Sequence, residues 1–211
     1  MEYLLSSLIG YLLGSFPTAY IFLQKTKGLD ITKEGSGNVG AMNSFEVSNS
    51  KFVGISVLFI DLLKGGASVL IPILVFGNVF IYPAIGLLFA VFSHCYNPWI
   101  FFKGGRGLAT AAGGAAIIFP YLLAVWVIFW VLFYVMRKDI LLANIAATIL
   151  SVLVLFGTYR IAFNYAFPKP AGVDILLTAS SSILIIIFIK HIEPLKELIQ
   201  KQKNNRKHKN E

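Results

Sequence analysis

Phe119-Pro120-Tyr121-Leu122-Leu123-Ala124-Val125-Trp126-Val127-Ile128-Phe129-Trp130-Val131-Leu132-Phe133-Tyr134-Val135-Met136 carries no charge from end to end. A helix needs ~20 predominantly apolar residues to cross a hydrocarbon layer ~30 Å thick. The uncharged run also extends upstream to Gly107, enough for one long tilted helix or two short ones. Pro120 lacks an amide donor, and Gly113-Gly114 weaken a helix interior. Two helices broken near Pro120 are therefore expected.

Working outward, a second run, Ile175 to Ile189, is also uncharged. Hydrophobic residues make up 57% of the 211-residue chain and charged residues only 13%, with a mean hydropathy of +0.76. A soluble domain carries roughly a quarter charged residues. Membrane barrels alternate apolar and polar residues in ~10-residue segments, and this chain does not. The fold class is all-α, a polytopic membrane protein. Candidate spans lie at 3–24, 52–76, 79–97, 107–119, 121–136, 140–158 and 174–190. The first apolar run follows Met1-Glu2-Tyr3, without a positive flank or an A-x-A site, and is expected to be a retained span.

Lys and Arg set the orientation, since cytoplasmic loops are enriched in both. Seven spans with the N-terminus outside and the C-terminus cytoplasmic place fifteen basic residues inside and only Arg160 and Lys169 outside, with Lys64 within a span. Six spans would strand a basic group on the outer face. Much of the net charge of +8 lies in Lys196 to Lys209. A basic stretch beside a span suits anionic lipid headgroups, not nucleic acid. The expected organisation is one membrane domain over 1–195 and a basic cytoplasmic tail over 196–211. Cys95 is the one cysteine and is read as a small buried thiol.

Chemistry gathers in two inner loops. The first contains Lys33-Glu34-Gly35-Ser36-Gly37-Asn38-Val39-Gly40-Ala41-Met42-Asn43. Gly35 to Gly40 matches the dinucleotide pattern G-x-G-x-x-G, but that fingerprint needs a preceding strand and a βαβ unit, and here a membrane helix precedes it. What survives is the local physics: glycines let backbone N–H groups converge on an anion. Ser36, Asn38 and Asn43 add side-chain donors. The second loop, Phe102-Lys103-Gly104-Gly105-Arg106-Gly107, again joins cations to bare backbone, just after His94 at a span end. Two such loops on one face predict a phosphate-bearing ligand.

Asp61 and Lys64 stand three apart on one face of the second span, where pairing is expected. The histidines lack metal-ligand spacing. No G-x-S-x-G elbow is present, which argues against a hydrolase-type serine. A lipid or anion carrier is the non-enzymatic alternative. Transporters often show internal repeats, and none is visible.

At these residues the chain resembles the bacterial acyl-phosphate:glycerol-3-phosphate acyltransferases, the PlsY family. The resemblance is carried by Gly14-Ser15-x-Pro17, Leu29-Asp30-Ile31, Gly35 to Asn43, Asp61-Leu62-Leu63-Lys64-Gly65, His94 and Phe102 to Thr110. It implies a seven-span enzyme of the cell membrane with a cytoplasmic active site. Such an enzyme transfers a fatty acyl group from acyl phosphate to the first hydroxyl of glycerol 3-phosphate, without cofactor or metal and without an obligate protein partner. Ser36, Lys103 and His191 are then the expected catalytic residues. Gly35, Gly37, Asn38, Gly40, Asn43, His94, Gly104, Gly105 and Arg106 are expected to bind substrate phosphate. His191, Ser36 and a substrate phosphate oxygen are alternative general bases.

Three places depart from the family pattern. Glu46 stands where an arginine is usual. Glu193 replaces an asparagine after His191, and the glycine-x-glutamate that should follow is missing. The stretch Arg137 to Ile145 lacks the usual serines. A divergent relative with lost or altered acceptor use is the alternative reading.

Overall fold

The computed structural model describes residues 1–207, so 208–211, the end of the expected tail, lie outside the described residues. Among the described residues the regular structure is helical: α1 (Glu2–Ser15), α2 (Thr18–Lys27), α3 (Ala41–Ser48), α4 (Lys51–Phe76), α5 (Ile81–Cys95), α6 (Leu108–Ile118), α7 (Pro120–Arg137), α8 (Ile140–Gly157), α9 (Tyr159–Tyr165) and α10 (Val173–Lys207). Every expected span falls on helix, the first on two pieces. Five stretches are long and apolar enough to cross a membrane: 2–27, 51–76, 120–137, 140–157 and 173–201. α5 and α6 are apolar but shorter, at 15 and 11 residues. The break at Pro120 falls where the sequence places it, with Phe119 leaving helical geometry at φ −132°, ψ 48°. α10 runs on past Leu195 without interruption, so no helix end marks the start of the tail.

The first span is itself broken. Pro17 disfavours helical backbone at the residue before it, and Phe16 is extended at φ −61°, ψ 113°. Carbonyls at the end of α1 thereby lose their helical partners at membrane depth, where other donors must meet them.

Small residues let the helices approach closely, as is usual in membrane bundles. Gly10 of α1 lies against the Gly86 carbonyl of α5, and Gly65 of α4 against the Thr110 carbonyl of α6. Pro72 removes the donor that would have used the Ser68 carbonyl, and Gly86 packs onto that carbonyl.

Two apolar cores result. The larger includes Val69, Phe80, Leu87, Val91, Ile118, Leu155, Leu176 and Ile187. The smaller, Ala19, Leu23, Ile31, Val39, Val53, Val57 and Ile100, sits under the glycine-rich loops. Outward faces carry exposed apolar side chains such as Phe52, Leu74 and Met136. α7 buries only Leu122, as suits a helix with lipid on most of its circumference.

Candidate active site

The first loop starts where Gly28, at φ 68°, ends α2 in left-handed geometry. Asp30 shapes the next turn: its Oδ1 accepts the Thr32 hydroxyl at 2.8 Å and the Thr32 N–H at 3.1 Å, while Lys33 pairs with Oδ2 at 3.4 Å. The Thr32 hydroxyl holds the Asp30 carboxyl below its ordinary pKa. Gly35 and Gly37 turn at φ 57° and 67°. Asn43, in the first turn of α3, fastens the whole segment. Its Oδ1 accepts the Ser36 N–H at 3.0 Å, and its amide donates to the carbonyls of Glu34 (3.1 Å) and Asn38 (3.0 Å). Asn43 is 1% exposed, so its side chain is occupied by the loop itself. Ser36 is left exposed at the tip and Asn38 half-buried, above the N-terminus of α3 with its unpaired backbone donors.

The second loop is built on Asn97, 3% exposed. Its Oδ1 accepts the Trp99 N–H at 3.0 Å, starting a single 3₁₀ turn over Pro98–Ile100. Its carbonyl accepts the Phe102 N–H at 2.8 Å. Phe101 and Phe102 take positive φ, 56° and 58°, and leave their rings and Lys103 exposed. Gly105 then turns back and donates to the His94 carbonyl at 3.1 Å. Arg106 is half-buried. Burial depresses its pKa, and the Glu197 and Glu46 carboxylates within electrostatic range oppose that shift.

The two loops meet. Val39 donates its N–H to the Gly104 carbonyl at 3.4 Å. A Cβ on Gly105 would strike the His94 ring and stand 2.8 Å from the Val39 carbonyl. The loop that carries Ser36, Asn38 and Gly40 is thus joined to the loop that carries Lys103 and Arg106. His94 is 7% exposed and sits beneath this junction beside Asp61 and Lys64.

His191 occupies a different environment. It is 1% exposed. Its Nδ1 lies 2.7 Å from the Ile187 carbonyl, which can only accept, so Nδ1 carries the proton. Its Nε2 faces the Asn144 amide at 3.5 Å, and Asn144 Oδ1 accepts from Trp130 Nε1 at 2.7 Å. His191 is therefore fixed as a neutral imidazole joining α10, α8 and α7. Glu193 is exposed and pairs with Lys196 at 3.5 Å.

Asn97, Asn144 and Trp130 are residues that the sequence reading passed over. The signal for Asn144 was a lone amide within an apolar helix, where polar groups find partners inside the bundle. For Asn97 it was the broken span, whose Ser15 carbonyl it meets at 2.6 Å.

An apolar groove between α6, α7 and α10 begins beside the second loop. Leu108 and Ile187 line its upper end, Ala111 and Ala115 one wall, and Phe119 and Trp126 the far end. Polar headgroup chemistry at the loops and an apolar chain in the groove could be held at once.

The family model "Glycerol-3-phosphate acyltransferase" matches residues 4–201. A glycerol-3-phosphate acyltransferase of Streptococcus equi subsp. zooepidemicus is 34% identical over 206 residues, covering 97% of this chain and 92% of that one. Another from Helicobacter pylori is 32% identical over 200 residues, covering 88% and 86%. The crystal structure of PlsY (YgiH), an integral membrane glycerol 3-phosphate acyltransferase, in its glycerol 3-phosphate form superposes with a TM-score of 0.77. It is 30% identical, over 95% of this chain and 94% of that one. The lysophosphatidic acid form of the same enzyme gives 0.75 at 31% identity, over 95% and 93%.

Proposed function

The chain belongs to the glycerol-3-phosphate acyltransferase family, and from that premise we propose the reaction in detail. A fatty acyl group passes from acyl phosphate to the sn-1 hydroxyl of glycerol 3-phosphate, at the cytoplasmic face of the cell membrane. The hydroxyl oxygen attacks the acyl carbonyl carbon, the bond from that carbon to the phosphate oxygen breaks, and the hydroxyl proton leaves with the phosphate. Lysophosphatidic acid and inorganic phosphate are the products. Acyl phosphate is already activated, so no enzyme nucleophile is needed.

The observation that carries this reading is the junction of the two loops through Val39 and Gly104. It gathers Lys103, Arg106 and the donors around Ser36 at the head of an apolar groove. Cations and backbone N–H groups hold the two substrate phosphates and set the hydroxyl against the carbonyl. Such positioning supplies several kcal/mol of a barrier. For the proton, Ser36 and a phosphate oxygen of the substrate are at the mouth of the site. His191 is not, with both ring nitrogens engaged. Seven crossings with the N-terminus outside remain the arrangement that the basic residues favour.

The test is turnover by the purified protein in lipid nanodiscs. With acyl phosphate and glycerol 3-phosphate, lysophosphatidic acid and phosphate are expected in equal amounts, with no activity from an acyl thioester donor. Folded protein that yields no lysophosphatidic acid from acyl phosphate would overturn the assignment.

A further inference from the structure

Lys64 is buried within the apolar α4, 6% exposed, and it meets three residues, one on its own helix and two on other segments. Its ammonium pairs with Asp61 Oδ1 at 2.8 Å, donates to the Phe16 carbonyl at 2.8 Å, and lies 3.5 Å from His94 Nδ1. Asp61 is 2% exposed and stands 4.0 Å from the same imidazole nitrogen. An ammonium has three donors and no acceptor. The His94 nitrogen facing it must therefore offer its lone pair, which puts the imidazole proton on Nε2, the nitrogen that lies against Gly105.

We propose that Lys64 is a positioning residue for acyl transfer: the Asp61–Lys64–His94 cluster ties the broken end of α1 to the second glycine-rich loop and sets where Lys103 and Arg106 stand. This rests on the acyltransferase reading above.

The chain of contacts is continuous. Pro17 breaks the first span, where the Phe16 carbonyl accepts the Thr18 N–H at 2.9 Å in place of a helical partner and is open to a second donor. Lys64 takes the Phe16 carbonyl, and Asn97 takes the Ser15 carbonyl at 2.6 Å. Trp99 Nε1 adds a bond to the Ser15 hydroxyl at 3.1 Å. Asn97 begins the turn that leads to Lys103. On its other side Lys64 meets the His94 ring, whose Nε2 edge and backbone carbonyl together seat Gly105. The Gly104 carbonyl in turn carries Val39 of the first loop.

A buried ion pair seldom adds stability over well-packed apolar residues, and ionisable groups within a membrane commonly mark function. Here the pair converts a backbone break into a fixed distance between α1, α4 and the site. Lys64 is buried and reaches the second loop through His94, so it acts through that ring and not on substrate.

The experiment compares wild type, Asp61→Asn/Lys64→Met, Arg106→Ala and the triple variant, all in nanodiscs with acyl phosphate and glycerol 3-phosphate. Wild-type turnover establishes the acyltransferase reading independently. The neutral pair is expected to keep the wild-type thermal midpoint or exceed it, while kcat/KM falls roughly 10- to 100-fold, as for a site displaced by about 1 Å. If Lys64 acts through the loop, the triple variant should lose less than the product of the two separate losses, because part of the effect passes through Arg106. Losses that multiply would mean a role independent of the loop, and wild-type kcat/KM in the neutral pair would overturn the proposal outright. Should the neutral pair fail to fold, Lys64→Arg is the second arm. It keeps the charge, but its planar fork cannot reproduce the ammonium's geometry. It too should lower kcat/KM, and wild-type rates there would sink the idea.

Discussion

Nε2 of His191 faces the amide nitrogen of Asn144 at 3.5 Å, and the other end of that amide accepts from Trp130 at 2.7 Å. The relay joins three helices where a single residue change would leave polar groups stranded. Asn144→Leu removes the partner of both Trp130 Nε1 and His191. It should lower stability by about 1–3 kcal/mol, read as a fall in the thermal midpoint of the detergent-solubilised protein. An unchanged midpoint would mean that the relay is not structural.

Lys103 is exposed and reaches out of a glycine-flanked turn. If it holds substrate phosphate, Lys103→Ala should reduce kcat about 10²- to 10³-fold. The thermal midpoint should barely move, because a solvated loop charge contributes little to folding. Steady-state kinetics alongside a melting curve separates the two effects. Wild-type kcat and KM would remove Lys103 from the site.

Two glycines separate close approach from mere flexibility. A methyl group at Gly105 would strike the His94 ring and crowd the Val39 carbonyl, whereas the nearest group at Gly66 of α4 is the Gly113 carbonyl at 3.7 Å. Gly105→Ala should abolish turnover. Gly66→Ala should leave turnover intact and stabilise α4 by up to about 1 kcal/mol. Equal effects from both substitutions would contradict the junction geometry.

Glu46, where the family resemblance leads one to expect an arginine, is exposed on α3 within electrostatic range of Arg106. Removing a carboxylate and adding a guanidinium there strengthens attraction for a phosphate. Glu46→Arg should lower KM for glycerol 3-phosphate or leave it unchanged. A variant that loses native turnover, or one that gains activity from an inactive wild type, would point to an altered acceptor. A panel of phosphorylated alcohols identifies which.

For the topology, Cys95 is buried and should give little background labelling. With cysteine placed at exposed Glu34 or Lys169, an impermeant thiol reagent should modify Lys169→Cys in intact cells and Glu34→Cys only after permeabilisation. The reverse pattern would invert the orientation.

Much of the fold was legible in the residues because it follows from local chemistry. Uncharged runs mark the helices, Pro120 with Gly113-Gly114 marks a break, and three-residue spacing pairs Asp61 with Lys64. Gly35, Gly37 and Gly107 stand where left-handed turns occur. The candidate loops were visible for the same reason, since glycine beside a cation is a local pattern. Their contact was not visible. Val39 meets Gly104, Lys64 meets Phe16 and His191 meets Asn144 only after the helices have chosen neighbours and rotations. Asn43 and His94, expected from sequence to bind phosphate, also fasten one loop and seat the other, contacts that only tertiary packing makes. Hydrophobic runs measure how long a helix is, and leave open which face meets which partner. That choice is made by close packing at Gly10, Gly65 and Gly86 and by the need of each buried polar group for a partner where no water can serve.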